Sequence, residues 1–419
     1  MADDRPAHES HLLLDTARVT DFALDPDRRT EPDRCVYQGR VRSRRQGHMR
    51  YLFFTNTPAH VHLYKHAAAA LDDRGHDVLV LARDYGCTTE LLEYHGLPYR
   101  CYGHLETTKW SLVRQLPRHY YSILRYTRQY DPDRIFGMGA YAAHAGAISR
   151  TPVTLILDSE PTSLDHAVSR PFATSILTPH AFGKDLGPKH YRFRGFKESA
   201  YLHPDVFSAR DDIREQLGVE PDEKYVICRF NAFGSHHDVN HSGISPPERR
   251  ELVEQLAERA TVFVSDESDA MAFDALDARP FDLHPGLLHD ALAEAHLLVA
   301  DTQTMVTEAA LLGTPAIRSN SFVGDSDMGN FIELEREGLI YNIGAFEPAL
   351  ERACSLLDDE SISAEWADKR DDYIDRTVNL TEVIVDLATS SDGPNSVAGL
   401  SQGELSARPP RDAPVSADR

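Results

Sequence analysis

The chain has 419 residues, with 66 Asp plus Glu against 44 Lys plus Arg and a formal charge of -22. This length suggests two domains with substantial cores, and so acidic a surface disfavours nucleic-acid binding because it repels phosphate backbones. Five scattered cysteines (Cys35, Cys87, Cys101, Cys228, Cys354) form no CxxC pair and argue against a disulfide framework or zinc ribbon. No run approaches 18 consecutive apolar residues and the amino terminus is charged rather than signal-like, so a cytoplasmic protein without a transmembrane segment is expected, with peripheral membrane contact left open.

Only seven of the 44 basic residues are lysine. Acid excess with few lysines resembles the proteins of halophilic archaea that hold molar salt, where the screening length falls to about 3 Å. Folding of the core is therefore expected to depend on salt.

Residues 1–48 lack sustained periodicity and are expected to be a disordered leader, or to precede a true start at Met49. Arg50–Phe54 reads as a strand, Val61–Arg74 as a helix broken by Gly75, and Asp77–Leu81 as a second strand. A helix at Glu90–Tyr94 stops at Gly96, before a strand at Tyr99–Tyr102. Leu112–Gln129 is helical, and strands follow at Arg134–Gly137, Val153–Leu157 and Ser175–Thr178. The rhythm restarts with a strand at Tyr225–Arg229, a helix at Pro247–Glu258 and a strand at Thr261–Val264. A helix at Leu287–Ala295 then feeds a strand at Leu297–Ala300.

Such alternation implies parallel sheets. The fold class is α/β, with two Rossmann-like domains (49–203 and 204–389) facing across a cleft and joined near His203-Pro204-Asp205. Residues 390–419, rich in Ser, Pro, Gly, Asp and Ala, read as a solvated tail.

Three turns carry candidate chemistry. After the Leu297 strand come Asp301-Thr302-Gln303-Thr304, a helix bearing Glu308, and Gly313-Thr314-Pro315 as its stop. A strand, a hydroxyl-bearing turn and a helix N-terminus can cradle a phosphate on free backbone N–H groups, and Glu308, about one turn in, could accept from ribose hydroxyls. An ordinary βαβ crossover carries similar turns. After the first strand, Thr55 to His62 places His60 where a general base would stand, at the carboxyl edge of the sheet. After the middle strand, Asp158-Ser159-Glu160 offers two carboxylates for acid–base work or orientation, or a simple turn. Arg229 and Ser235, beyond the first strand of the second half, suit a pyrophosphate. Lys197 near the hinge could neutralise phosphate, and Tyr201 could anchor the hinge by packing. His62 with His66, and His236-His237 with His241, lack the partner ligands of a convincing metal site, so no metal is expected.

Taken together, Thr55-Asn56-Thr57-Pro58-Ala59-His60-Val61-His62, Gly195-Phe196-Lys197-Glu198-Ser199-Ala200-Tyr201-Leu202 and Met305 to Pro315 resemble the signatures of an archaeal and bacterial family of predicted glycosyltransferases, domain of unknown function 354. The resemblance runs from about Met49 to Leu356. It implies a glycosyltransferase-B fold, like that of lipid-linked N-acetylglucosaminyltransferases and non-hydrolysing nucleotide-sugar 2-epimerases. It also implies His60 as base, Glu308 as ribose ligand and Glu160 as the nearest match to an epimerase carboxylate. Two departures stand out: Ala59 intervenes between Pro58 and His60, and Thr302-Gln303 replaces a Gly-Gly pair.

The expected function is metal-independent, inverting transfer of a sugar from a nucleotide sugar, with UDP as the expected nucleotide, to a hydroxyl-bearing glycan or lipid-linked acceptor in cell-surface polysaccharide or glycolipid assembly. No cofactor is expected. In this scheme Arg229, Ser235, Thr302, Thr304 and Glu308 hold the nucleotide, while His60 acts as base with Asp158 or Glu160 orienting it. A 2-epimerase-like enzyme, or a non-catalytic nucleotide-sugar-binding relative, are the alternatives.

Overall fold

The computed structural model describes residues 47–104, 109–231, 243–267, 276–324 and 327–402. Most of the expected leader, Ser235, the His236-His237-His241 cluster and the end of the expected tail lie outside the described residues.

The apolar runs read from sequence form two sheets. The first contains β1 (Arg50–Thr55), β2 (Asp77–Asp84), β3 (Tyr99–His104), β4 (Arg134–Gly137), β5 (Val153–Ile156), β6 (Ser175–Pro179), β7 (His190–Phe193) and β14 (Leu400–Ser401), in the order β14-β7-β6-β5-β4-β1-β2-β3. Its pairings are parallel except β14 with β7. The second contains β8 (Tyr225–Phe230), β9 (Thr261–Asp266), β10 (Arg279–Pro280), β11 (Leu297–Ala300), β12 (Ala316–Arg318) and β13 (Tyr341–Asn342), in the order β10-β9-β8-β11-β12-β13, all parallel.

Buried residues run unbroken along β5 and β11, and along β1 after Arg50, because helices cover both faces of a parallel sheet. On the first sheet these helices are α1 (Pro58–Asp73), α2 (Thr88–Tyr94), α3 (Lys109–Tyr130), α4 (Ala140–Ser149) and α5 (Ser163–Ser169). Short α6 (Ser199–Leu202) and α7 (Ile213–Leu217) lead into the second sheet, which carries α8 (Pro246–Ala257), α9 (Leu288–Ala293), α10 (Thr304–Leu312), α11 (Gly329–Arg336), α12 (Phe346–Asp358) and α13 (Ile362–Ile374). Gly75 and Gly313 end α1 and α10 at φ 87° and 81°, left-handed values that favour glycine.

The end of the chain departs from the expected limits. α14 (Leu380–Thr389) leaves the second half and packs on α1 and α6. Tyr51 Oη donates to the Ala388 carbonyl at 3.1 Å, and Arg134 donates to the carbonyls of Leu387 (3.0 Å) and Ser390 (2.5 Å). Beyond it, Val397 is buried and β14 extends the first sheet. Residues 380–402 therefore belong spatially to the first sheet, and the start of the expected tail is ordered by edge pairing. Position in the chain does not decide on which layer an apolar helix face is buried.

Candidate functional site

The carboxyl edge of the first sheet forms one wall of a cleft. Pro58 starts α1, its fixed φ and missing N–H suiting the first helical turn. His60 then sits half-buried, with Nδ1 accepting the Asn56 N–H at 3.2 Å. Asn56 is itself fixed by the Tyr102 hydroxyl, which donates to Oδ1 at 2.8 Å. Burial pushes the His60 imidazole down to about 4; Asp158 opposes this, and Lys197 and Arg83 add to it. With its Nδ1 lone pair accepting from Asn56, neutral His60 carries its proton on Nε2 and is a donor in this geometry.

Beyond β5, Asp158 Oδ2 lies 2.5 Å from Lys197 Nζ, which also donates to Glu198 Oε1 at 2.6 Å. Burial alone would lower Lys197, but Asp158 and Glu198 hold it above its ordinary value. Lys197 thus neutralises carboxylates rather than standing free for a phosphate. Glu160 Oε1 accepts the N–H groups of Gly183 (3.1 Å) and Gly329 (3.2 Å), the latter the first residue of α11 across the cleft. Glu160 Oε2 and Asn330 Oδ1 are enclosed without a hydrogen-bond partner among the described residues. Asp158, Glu160, Phe182, Lys197, Glu198 and Asn330 line a small cavity of about 10 Å³.

In the second sheet, the corresponding carboxyl edge carries the β11–α10 turn, whose helix is reached from the cavity by Asn330, donating to Thr307 at 3.5 Å. Asp301 is buried, accepting from Asn231 N–H (2.7 Å) and Arg249 (3.2 Å), which ties the turn to the end of β8. Burial raises its carboxyl to about 6 despite those bonds. Thr302 Oγ1 is enclosed with no partner among the described residues, and Thr304 opens α10, whose N-cap Gln303 makes no side-chain cap bond. The turn therefore brings Thr302, Thr304 and the amino end of a helix together.

Two expected nucleotide ligands are engaged elsewhere. Arg229 donates to Ser265 at 2.5 Å and pairs with Glu267 at the end of β9. Glu308 is only 3% exposed, and its Oε1 accepts from Tyr201 Oη (2.8 Å) and His289 Nε2 (3.1 Å). Burial alone would raise that carboxyl, but His289, Tyr201 and Lys197 hold it below its ordinary value. Glu308 therefore braces the hinge, where Tyr201 serves by a hydrogen bond as well as by packing. His62 stacks edge-on against His289 at 4.5 Å and lies 5.4 Å from the Tyr201 ring, an aromatic seam between the two layers. No group of three or more His, Cys, Asp or Glu suited to a metal occurs among the described residues.

Sequence reasoning passed over Asp301, Arg249, His289 and Asn330. The signal for Asp301 was present, a carboxylate directly after an apolar strand; that for His289 depends on a contact 19 residues away in the chain.

Two parallel α/β layers, with a final helix returning to the first, define a glycosyltransferase-B-type fold. The chain belongs to the family described as "Protein of unknown function (DUF354)", whose model matches residues 50–327. It is 23% identical over 285 residues to "Uncharacterized protein MJ0665" of Methanocaldococcus jannaschii, covering 64% of this chain and 80% of that one. Among solved structures it is similar to a putative UDP-N-acetylglucosamine 2-epimerase from Listeria monocytogenes, with TM-score 0.58 and 14% identity over 81% of this chain and 96% of that one. It is also similar to the spinosyn forosaminyltransferase SpnP, with TM-score 0.57 and 15% identity over 79% and 96%. No helix among the described residues is long and apolar enough to cross a membrane.

Proposed function

We propose that the protein is an enzyme that transfers a sugar from a nucleotide sugar to a hydroxyl acceptor with inversion and without a metal. The observation that carries the reading is the joining of two sheet edges. A carboxylate, lysine and histidine group (Asp158, Glu160, Lys197, His60) is linked to the first turn at the N-terminus of α10, which follows Thr302 and opens at Thr304, through Asn330, which lines the same cavity and donates to Thr307 at 3.5 Å. The nucleotide diphosphate binds at that N-terminus, where the helix dipole and free N–H groups stabilise the charge of the leaving group. Lys197 fixes one oxygen of Asp158, whose side chain is 24% exposed to the cleft. Asp158 takes the acceptor proton as the acceptor oxygen attacks the anomeric carbon, while His60 Nε2–H orients the sugar or acceptor. The anomeric carbon–oxygen bond breaks and its electron pair leaves with the diphosphate. Likeness in fold to SpnP and to the Listeria protein supports a nucleotide sugar as substrate.

The cavity of about 10 Å³ is far smaller than a typical ligand site of roughly 300–1,000 Å³. Substrate entry therefore requires the Glu160–Gly329 contact to open.

A second reading, nucleotide-sugar 2-epimerisation, is favoured by the gathering of Asp158, Glu160 and Glu198 around one cavity. Calorimetric titration with uridine, guanosine and thymidine diphosphates at high salt, free of divalent metal, tests the donor site; absence of binding by folded protein removes it. Incubation of UDP-sugar alone separates the readings: epimerised sugar without acceptor supports the second, and transfer only when acceptor is present supports the first.

A further inference from the structure

The region from Lys109 to Leu157 has seven basic residues and only two acidic ones, Asp131 and Asp133, within a chain of net charge -22. Both acids are already committed to Arg50. On α3, Arg114, Arg118, Tyr121, Arg125 and Arg128 recur at spacings of four and three, which puts them on one face. All five are exposed, Tyr121 by 70%. Some exposed guanidinium groups elsewhere are answered by carboxylates, as in Arg210–Asp212, Arg250–Glu254 and Arg336–Glu333, while others such as Arg74, Arg150 and Arg170 stand singly rather than in a row. Among the described residues, none of the four α3 arginines has an ion pair.

Beside this row lies an apolar one. Leu164 (80% exposed), Val168 (39%) and Phe172 (48%) follow one another at intervals of four, and Ile148 on α4 is 48% exposed. The two rows are joined side by side: Tyr120, next to Tyr121, stacks on His144 at 5.8 Å and donates to its Nδ1, and His144 meets the Phe172 ring at 5.2 Å. His144 Nε2 also contacts the Val168 carbonyl at 3.0 Å.

We infer that this face of α3, α4 and α5 docks the protein on an anionic lipid surface, with the arginines at the headgroups and Leu164, Val168 and Phe172 inserted among them. Exposed large apolar side chains flanked by unpaired cations match a membrane interface, where each cation near an anionic surface strengthens binding about fivefold and each buried apolar side chain adds to it. An acidic protein partner would answer the arginines but leave the apolar row uncovered. The face lies on the layer that carries His60, but the inference is independent of the proposed activity.

The test is flotation of the full chain with phosphatidylglycerol vesicles and with phosphatidylcholine vesicles, at the lowest salt at which it stays folded. The parent floats with the anionic vesicles and not with the neutral ones. Reversal of Arg114, Arg118, Arg125 and Arg128 to Glu weakens binding on the order of a hundredfold, and neutralisation to Gln by a smaller factor, so a poorly folding reversal leaves a second measure. Leu164→Ser with Phe172→Ser weakens binding about tenfold while the far-ultraviolet circular dichroism stays that of the parent. Failure of the parent to float with anionic vesicles overturns the inference, as do arginine variants that bind like the parent. A stable dimer that the arginine variants dissociate, with no vesicle binding by either form, assigns the face to self-association and also overturns it.

Discussion

Glu160, beyond the fifth strand of the first sheet, accepts a hydrogen bond from the backbone N–H of Gly329, which opens a helix of the second. One carboxylate oxygen thus closes the cleft at its floor, while the other is enclosed and unpartnered among the described residues. A Cβ on Gly329 would stand 1.9 Å from the Ala181 carbonyl oxygen and 3.0 Å from Glu160 Oε1. Backbone against backbone cannot yield cheaply, so Gly329→Ala is expected to push the layers apart at a cost of about 1–3 kcal/mol. A lower melting temperature with a larger radius of gyration in X-ray scattering is the expected pair of results; an unchanged radius would show that the contact does not hold the cleft shut.

Lys197 sits between Asp158 and Glu198, and Glu198 is almost fully buried. Removing the cation leaves a buried carboxylate without its partner, a change that typically costs 3–5 kcal/mol. Lys197→Met is expected to destabilise the chain by about that amount, and adding Glu198→Gln is expected to recover part of it. Urea denaturation of the single and double variants measures the coupling; additive losses would mean the pair is energetically independent.

Catalytic roles separate by variant. Asp158→Asn is expected to lower turnover about 10²–10⁴-fold with nucleotide diphosphate affinity unchanged, as for loss of a general base. His60→Gln keeps a donor and is expected to cost less. If His60→Gln proves the more damaging, histidine is the base after all and its Nδ1 must leave Asn56 during turnover.

Acid should unlatch the seam between the layers. Burial lowers His62 well below its ordinary value, His66 to about 4 and His95 to about 3, each helped by neighbouring cations including Lys65, and lowers Lys65 to about 8, opposed by Asp290 and Glu308. His289 and Tyr201 face the same group. Depressed histidines bind fewer protons when folded than when unfolded, so their stability contribution is present above about pH 6.5 and is lost progressively toward pH 4. Denaturation midpoints should fall through this window, and His62→Phe should flatten the slope. A parallel slope in the variant would place the effect elsewhere.

Truncation after Thr389 removes β14 and the buried Val397, whereas truncation after Gln402 keeps both. The shorter chain is expected to melt several degrees lower, and both are expected to lose stability as salt is diluted from molar, because screening weakens as the Debye length grows from about 3 Å to about 10 Å. Melting temperatures indifferent to salt would contradict the halophilic reading of the composition.

Most strands were legible because a buried parallel strand is a short apolar run between turn residues, as in Leu297–Ala300 and Tyr225–Phe230. The two-residue strands β10 and β13 carry no such pattern, being recruited by neighbours at the sheet edge. At the site, the positions of His60 and Asp158 followed from the rule that ligand crevices lie beyond strand ends. Their partners did not: which nitrogen of His60 is taken depends on the Asn56 N–H, and Glu308 is turned inward by Tyr201, 107 residues distant. Residue type announces a capacity for hydrogen bonding, whereas burial decides what fills it.

The return of α14 has a consequence for how the chain is made. The hydroxyl of Tyr51 waits for the carbonyl of Ala388, 337 residues later. On a ribosome adding roughly 5–20 residues per second, that interval is on the order of tens of seconds. The layer translated first is therefore finished last, and until α14 emerges the side of α1 that it covers stays open. A nascent chain stalled before Leu380 would present that surface to chaperones, whereas the second layer, complete once α13 has emerged, would not.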